Sequence, residues 1–255
     1  MSKSVLVVGG GIIGLSSAYY LNKAGHHVTV VDQSNLDAGA SYVNAGYLSP
    51  SHLIPLSAPG VMKKGLKWMF NPASPLYIKP RFDLDFLRWS WAFNKSCNLK
   101  HVQKAAPVIR DISLLSQELM TDIKKDPSFT FHYQKKGLFM LCQTEKMLEE
   151  ELEVAKYAVE LGLAAKEVSR LEIQQMEPDV NINAIGAAYF ECDHHSTPQE
   201  FMTELKAYLT NAGVNIYANE KVLDIVLKNH GVESIITSNR AFKPDEIVMA
   251  AGSWS

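Results

Sequence analysis

The sequence predicts an α/β protein carrying an α+β part, and three observations lead there. The apolar run Val5–Val8 meets Gly9, Gly10 and Gly11, an amphipathic stretch follows to Gly25, and His27–Val31 is a second apolar run closed by Asp32. Helical and strand patterns then alternate along the chain. A late apolar run, Ile247–Ala251, passes into Gly252 and Ser253. Such small residues suit a backbone that lies close against a flat group, and equally an ordinary buried strand ending in a turn.

The first run reads as a strand, a glycine turn, a helix and a strand, a Rossmann-like dinucleotide-binding unit. Gly9 takes the tight bend, Gly11 lets the backbone approach a pyrophosphate, and Gly14 lets helix and strand pack closely. The phosphates sit on the helix N-terminus, where unpaired N–H groups and the helix dipole favour negative charge. Asp32 follows the glycines by roughly 20 residues, the spacing of an acid that accepts both ribose hydroxyls. Its charge disfavours a 2′-phosphate, which selects FAD or NAD over NADP. Ile12, Leu15, Ala18, Tyr19 and Leu21 carry the helical period, and Gly25 is the C-cap.

Residues 33–60 form a long segment rich in Ser, Ala, Asn, Gly and Pro, the composition of a functional loop. Helical periodicity marks 60–70, 83–95 and 100–125, the last stopped by Asp126 and Pro127. Phe129–Tyr133 and Gly137–Cys142 read as a strand pair. A helix over 144–161 opens at Thr144 and ends at Gly162. Arg170–Met176 is a short helix, and Ile185–Cys192 a buried strand. Thr197 and Pro198 start another helix, with threonine as cap. Strands at 214–217, 221–228, 232–238 and 246–252 complete the chain.

Bulk properties exclude several classes. The 255 residues are 47% hydrophobic, enough for a sizeable core. A net charge of −2, without a long block of like charge, leaves no nucleic-acid footprint. Cys97, Cys142 and Cys192 lack metal or disulfide spacing, so no metal is expected and a reducing, cytoplasmic setting fits. No apolar run approaches the roughly 20 residues of a membrane span. Within 59–91, Trp68, Phe70, Phe82, Phe86, Trp89 and Trp91 mingle with Lys63, Lys64, Lys67, Lys79, Arg81 and Arg88. That mixture is found on membrane-surface helices, which leaves a peripheral contact with the inner membrane open; core and rim of a domain is the favoured reading.

Taken together, the glycines with Asp32, Ser41 followed by Asn44, Ala45 and Gly46, then Pro50, Pro55 and Ala58–Val61, resemble the D-amino-acid oxidase superfamily of FAD proteins. Lys67–Phe70, Pro75, Leu76 and Leu87–Trp89 narrow the resemblance to its bacterial D-amino-acid dehydrogenase branch. The resemblance implies a Rossmann-like FAD-binding domain (1–58 and 196–255) interleaved with an incomplete mixed-sheet substrate domain (59–195). It places Asn44, Ala45 and Gly46 against the flavin, the strand of Val222 near the adenine, and Ala251 and Gly252 beside the cofactor. Val8, Ile12, Ile13, Gln33 and Leu48 join these as expected FAD contacts. Two departures stand out: Asp32 replaces the longer glutamate of many relatives, and relatives continue well past residue 255, so the chain is expected to be a fragment or a shortened paralogue and a poor catalyst.

The implied chemistry is oxidative deamination of a small D-amino acid to a 2-oxo acid and ammonia, by hydride transfer to the flavin N5 and release of the electrons to a quinone or O2. No protein base is required once the amine is neutral, so no catalytic side chain is assigned. Tyr47, His52, His194 and His195 lie in segments that could face the substrate. Two other readings remain. One is a non-catalytic FAD-binding subunit. The other, an NAD-dependent enzyme, leaves the Asn44–Gly46 loop unexplained.

Overall fold

A computed structural model describes residues 1–61, 81, 83–229 and 231–254. Most of the helix expected at 60–70 lies outside the described residues, as do Lys63, Lys64, Lys67–Phe70, Pro75, Leu76, Lys79 and Phe82. In chain order the elements are β1 (Ser4–Val8), α1 (Ile12–Lys23), β2 (His27–Val31), β3 (Tyr47–Leu48), α2 (Leu84–Ser96), α3 (Leu99–Lys125), β4 (Tyr133–Gln134) and β5 (Leu138–Cys142). They continue as α4 (Glu145–Glu160), β6 (Ala165–Ser169), α5 (Arg170–Met176), β7 (Gly186–Phe190), β8 (His194–Ser196), α6 (Pro198–Asn211), β9 (Asn215–Tyr217), β10 (Val222–Lys228), β11 (Gly231–Thr237), β12 (Ala241–Phe242), β13 (Glu246–Met249) and a 3₁₀ turn at Gly252–Trp254. The chain divides into two compact units: Met1–Tyr47, Thr121–Gln134 and His195–Ser255 form one, Leu48–Met120 and Lys135–His194 the other.

The first unit is built on a four-stranded parallel sheet in the order β13-β1-β2-β9. Val5–Val8 are buried throughout because both faces of the sheet are covered. The period of two divides them. Leu6 and Val8 pack with Val31, Ile235 and Phe242, on the face covered by the antiparallel β10-β11-β12 sheet. On α1, Leu15, Ala18 and Tyr19 are buried. The Tyr19 ring meets Phe129 and Tyr208 at centroid distances of 6.1 and 5.3 Å. α6 buries Phe201, Met202, Leu205 and Leu209 along one stripe. Each such side chain withdrawn from water contributes about 1.5–3 kcal/mol.

The second unit centres on β7, the middle strand of the antiparallel sheet β5-β7-β6, with all its residues buried. Ala188 and Phe190 pack with Ala155 and Ala158 of α4 and with Ala106 of α3. Ala187 and Tyr189 face the other way, onto Val168, Ile173, Ile182 and Ala184. α4 starts where Thr144 accepts the Met147 N–H at 3.3 Å, and its C-terminal Leu161 carbonyl is taken by Arg110 at 2.6 Å. α5 opens with a capping box between Ser169 and Glu172. Among the described residues, no helix is long and apolar enough to cross a membrane.

Three expectations are corrected. Phe129–Tyr133 does not pair with the strand at 138–142. The Glu204 carboxylate takes the N–H groups of Thr130 (2.8 Å) and Phe131 (2.9 Å), and Glu200 takes that of His132 (2.7 Å), so most of the segment has no ladder donors left. Only Tyr133 and Gln134 pair, with Ser196 and His195, while β5 pairs with β7. Thr197 occupies the N-cap of α6 with Pro198 following it in the first turn, but its side chain makes no cap bond. α2 buries none of its residues: its rings stack along their own helix, Phe86 on Trp89 at 6.0 Å and Trp89 on Phe93 at 5.3 Å. Leu84, Leu87, Trp89 and Trp91 are exposed.

Candidate nucleotide-binding site

The strand order reverses at β1: β2 and β9 lie on one side of it and β13 on the other. In sheets of this kind ligands bind outside the carboxyl ends of the strands, at that reversal. There the two informative runs of the sequence meet. The Ala250 N–H donates to the Val8 carbonyl at 2.8 Å. Gly9 turns away at φ +106°, and a β-carbon on it would lie 2.3 Å from the Ala250 oxygen and 3.0 Å from the Ala251 α-carbon. A β-carbon on Gly14 would lie 1.8 Å from the Gly9 oxygen and 3.3 Å from Val7 Cγ1, so α1 sits directly on the turn.

α1 begins with Gly11 at its N-cap and therefore has no side chain of its own to cap it. The Ser41 hydroxyl accepts the Ile12 N–H at 3.0 Å instead. A β-carbon on Gly11 would meet only this hydroxyl, at 3.1 Å, so the space beside Gly11 is open where that beside Gly14 is filled. Ile12 and Ile13 are 38% and 67% exposed, a high exposure for isoleucine at the start of a buried helix. A helix start whose N-cap residue supplies no side chain, an open backbone and exposed apolar side chains fit a dinucleotide pyrophosphate.

Asp32 is engaged within the protein. Its Oδ2 accepts the Gly10 N–H at 2.6 Å, and its Oδ1 accepts the Ser34 N–H at 2.7 Å and the Ser34 hydroxyl at 2.6 Å. Gln33 beside it is exposed. Asn44 folds its own loop: its amide donates to the Ala40 carbonyl at 2.9 Å, and its oxygen accepts the Gly46 N–H at 2.8 Å. Ala45 is exposed, whereas Gly46 is buried. The Gly46 carbonyl accepts the Ser196 N–H at 2.9 Å. Val222 is half-buried against the Leu6, Val8, Val31 and Ile235 cluster.

The structure thus gathers Val8, Gly9, Gly11, Ile12, Ile13, Gly14, Asp32, Ser41 and Ala251 at one end of the parallel sheet, with Gly252 opening the 3₁₀ turn beyond. Tyr47 and His195 belong to the same unit; Leu48, His52 and His194 belong to the other. Tyr47 is exposed, and the His195 ring lies 6.2 Å from that of His132. Sequence reading passed over Gly10 and Leu36, although three consecutive glycines mark the place. A β-carbon on Gly10 would lie 2.0 Å from Leu36 Cδ2. It also passed over Asn219 and Glu220, whose N–H groups donate to the carbonyls of Ser34 (2.9 Å) and Asp32 (2.7 Å). No local pattern marks them. A cavity of about 270 Å³ lined by Ser4, His26, His27, Asn215 and Pro244 opens at the opposite, N-terminal end of the strands, away from this constellation.

Comparison with known proteins places the chain in a family. The family described as FAD dependent oxidoreductase matches residues 4–255. A D-amino acid dehydrogenase of Helicobacter pylori is 35% identical over 253 residues, covering 99% of this chain and 60% of that protein. Glycine oxidase from Geobacillus kaustophilus has the same fold with a TM-score of 0.70 at 20% identity, over 99% of this chain and 56% of its own. Glycine oxidase from Bacillus cereus superposes with a TM-score of 0.67 at 22% identity, also over 99% and 56%. The chain therefore spans about 60% of the length of the curated relative it matches. With the match extending over nearly all of its residues, the chain belongs to the FAD dependent oxidoreductase family.

Proposed function

We propose that the protein binds FAD at the carboxyl end of its parallel sheet and takes part in the oxidative deamination of a D-amino acid, with a quinone or O2 receiving the electrons. One observation carries the cofactor half of this reading: the glycine turn, the start of α1 and the small residues Ala250 and Ala251 that follow β13 converge at the point where the sheet reverses. The substrate half rests on the relative named D-amino acid dehydrogenase.

FAD, when bound, supplies the hydride-accepting ring of the reaction. The chain's own residues hold it. The N-terminal N–H groups of α1 and the Ser41 hydroxyl receive the pyrophosphate charge. Asp32 Oδ2 carries one bond and Oδ1 two, so Oδ2 keeps a lone pair for one ribose hydroxyl without displacing Ser34. Asn44, Ala45 and Gly46 face the flavin, the Val222 strand the adenine, and Ala251 and Gly252 exclude water from the cofactor edge. The exposed Leu87, Trp89 and Trp91 beside Arg88 and Lys95 support a peripheral contact with a membrane surface.

The visible spectrum of the purified chain tests the reading. A bound flavin that D-alanine bleaches anaerobically supports both halves. A bound flavin that no D-amino acid reduces leaves a nucleotide-binding protein without this activity, and the absence of bound flavin after incubation with FAD overturns the proposal.

A further inference from the structure

We infer that Glu220 is a positioning residue for the adenosine half of the cofactor, an inference that rests on the FAD reading above. Its side chain is 2% exposed, although it carries a carboxylate. A carboxylate is withdrawn from water at so low an exposure only where donors replace the lost hydration. Here they do. Oε1 accepts the Thr237 hydroxyl at 2.5 Å and the Asn239 N–H at 3.1 Å. Oε2 accepts the Asn239 amide at 3.1 Å and lies 3.4 Å from Arg240 Nε. The Thr237 hydroxyl is the main reason that the acid is held below its ordinary range.

The main chain on either side of this carboxylate holds a different segment. The Glu220 N–H donates to the Asp32 carbonyl at 2.7 Å, and the Asn219 N–H to that of Ser34 at 2.9 Å, with Asn219 in the left-handed region at φ +54°. Next in sequence, Lys221 and Ser238 exchange bonds of 3.2 and 2.8 Å, just before Val222 pairs with Thr237. The turn at 219–221 therefore joins the loop carrying Asp32 and Ser34 to the turn joining β11 and β12 and to the first residue of β10. The Glu220 side chain is the anchor of that joint. The acid proposed to receive the ribose and the strand proposed to border the adenine keep their separation through it, and the flavin end has no such dependence.

The test is titration of the full chain with FAD and with ADP, which carries the adenosine half alone. Glu220→Ala removes an acceptor shared by Thr237, Asn239 and Arg240, and both ligands are expected to bind about tenfold more weakly, by the same factor. Glu220→Gln keeps one carbonyl acceptor but turns an NH2 toward Asn239 and Arg240, and a loss of about threefold is expected. At saturating FAD the visible bands of the bound flavin are expected to match those of the wild type, a signature that general loosening of the fold would not preserve. If Glu220→Ala does not fold, Asn239→Ala carries the test, with an expected loss of about threefold for both ligands. Unchanged affinity in a folded variant, with or without a lower melting temperature, overturns the inference and leaves the FAD reading standing. Shifted flavin bands overturn the restriction to the adenosine half. A wild-type chain that binds neither FAD nor ADP overturns the FAD reading and this inference together.

Discussion

Ser51 and Asp193 are joined by two hydrogen bonds, from the Ser51 N–H to Oδ1 at 3.1 Å and from its hydroxyl to Oδ2 at 2.6 Å. Both residues are buried, Asp193 completely. The hydroxyl has one proton and commits it to the carboxylate, so His52 Nδ1, 3.1 Å from that oxygen, must be the donor in its own contact. Around the pair, the Gln117 amide donates to the carbonyls of Leu48 and Cys192 at 2.8 and 2.9 Å. Burial pushes the Cys192 thiol up to about 12.

This pair should be a main fastening of the second unit. Asp193→Ala leaves both Ser51 donors and the Cys192 thiol without this acceptor and is expected to cost roughly 2–4 kcal/mol, and Ser51→Ala less, about 1–3 kcal/mol. Urea unfolding with an unchanged slope measures both. A loss below about 0.5 kcal/mol for Asp193→Ala, the level of an ordinary surface change, would show that the bonds are dispensable.

Gly14 and Gly11 should separate packing from ligand contact. Gly14→Ala drives a methyl into the Gly9 carbonyl, so α1 must shift and stability should fall by roughly 1–3 kcal/mol or more. Gly11 has φ −72° and ψ −176°, which any residue adopts, and only the Ser41 hydroxyl near it. Gly11→Ala should therefore melt close to the wild type yet hold FAD about tenfold or more weakly, because the methyl takes pyrophosphate space. Full FAD affinity in folded Gly11→Ala would contradict the placement of the pyrophosphate.

Asp32→Ala should weaken FAD binding by about 1–3 kcal/mol through the lost charge-assisted bond to the ribose. The structure adds a second effect. Three internal bonds to Gly10 and Ser34 disappear as well, so the variant should also melt at a lower temperature without FAD. Calorimetric titration and melting of the same preparation distinguish the two, and an unchanged FAD affinity would remove Asp32 from the site.

Asp245 should make stability depend on acid pH. The Ser4 N–H at 2.7 Å, with the Ser4 hydroxyl at 2.8 Å, holds its carboxyl below its ordinary value of 3.8. A carboxyl depressed in the folded state contributes its stability above that ordinary value and loses it as pH falls through the depressed one. Glu172 and Glu220 are also depressed, so the wild type is compared with Asp245→Asn, in which those groups cancel. The gap in melting temperature should be present at pH 7 and close as the pH falls from 3.8 through the depressed value of the folded state. A gap of constant size across that range would mean that Asp245 acts through shape alone.

What was legible in the sequence is local. The helix start at Thr144, the short helix Arg170–Met176, the stop before Pro127, the left-handed Gly25 and the whole run from Val5 to Asp32 follow from interactions within a few residues, whose signatures are composition and period. Within the strand read over 185–192, the stretch Gly186–Phe190 was legible as buried because five residues in a row without a charge leave no polar face to turn to water.

Tertiary structure decided the partners. Phe129–His132 has strand-like composition, yet carboxylates of a helix some 70 residues later take its N–H groups, and only packing brings Glu200 and Glu204 there. The contact of Gly9 with Ala250, the bond from the Gly10 N–H to Asp32, and the burial of Glu220 depend on which strands become neighbours and in what register. Apolar periodicity says that a face must be covered but not by what. The hydrophobic effect that drives the covering is non-directional, and the hydrogen bonds that select one arrangement form only once the segments have met.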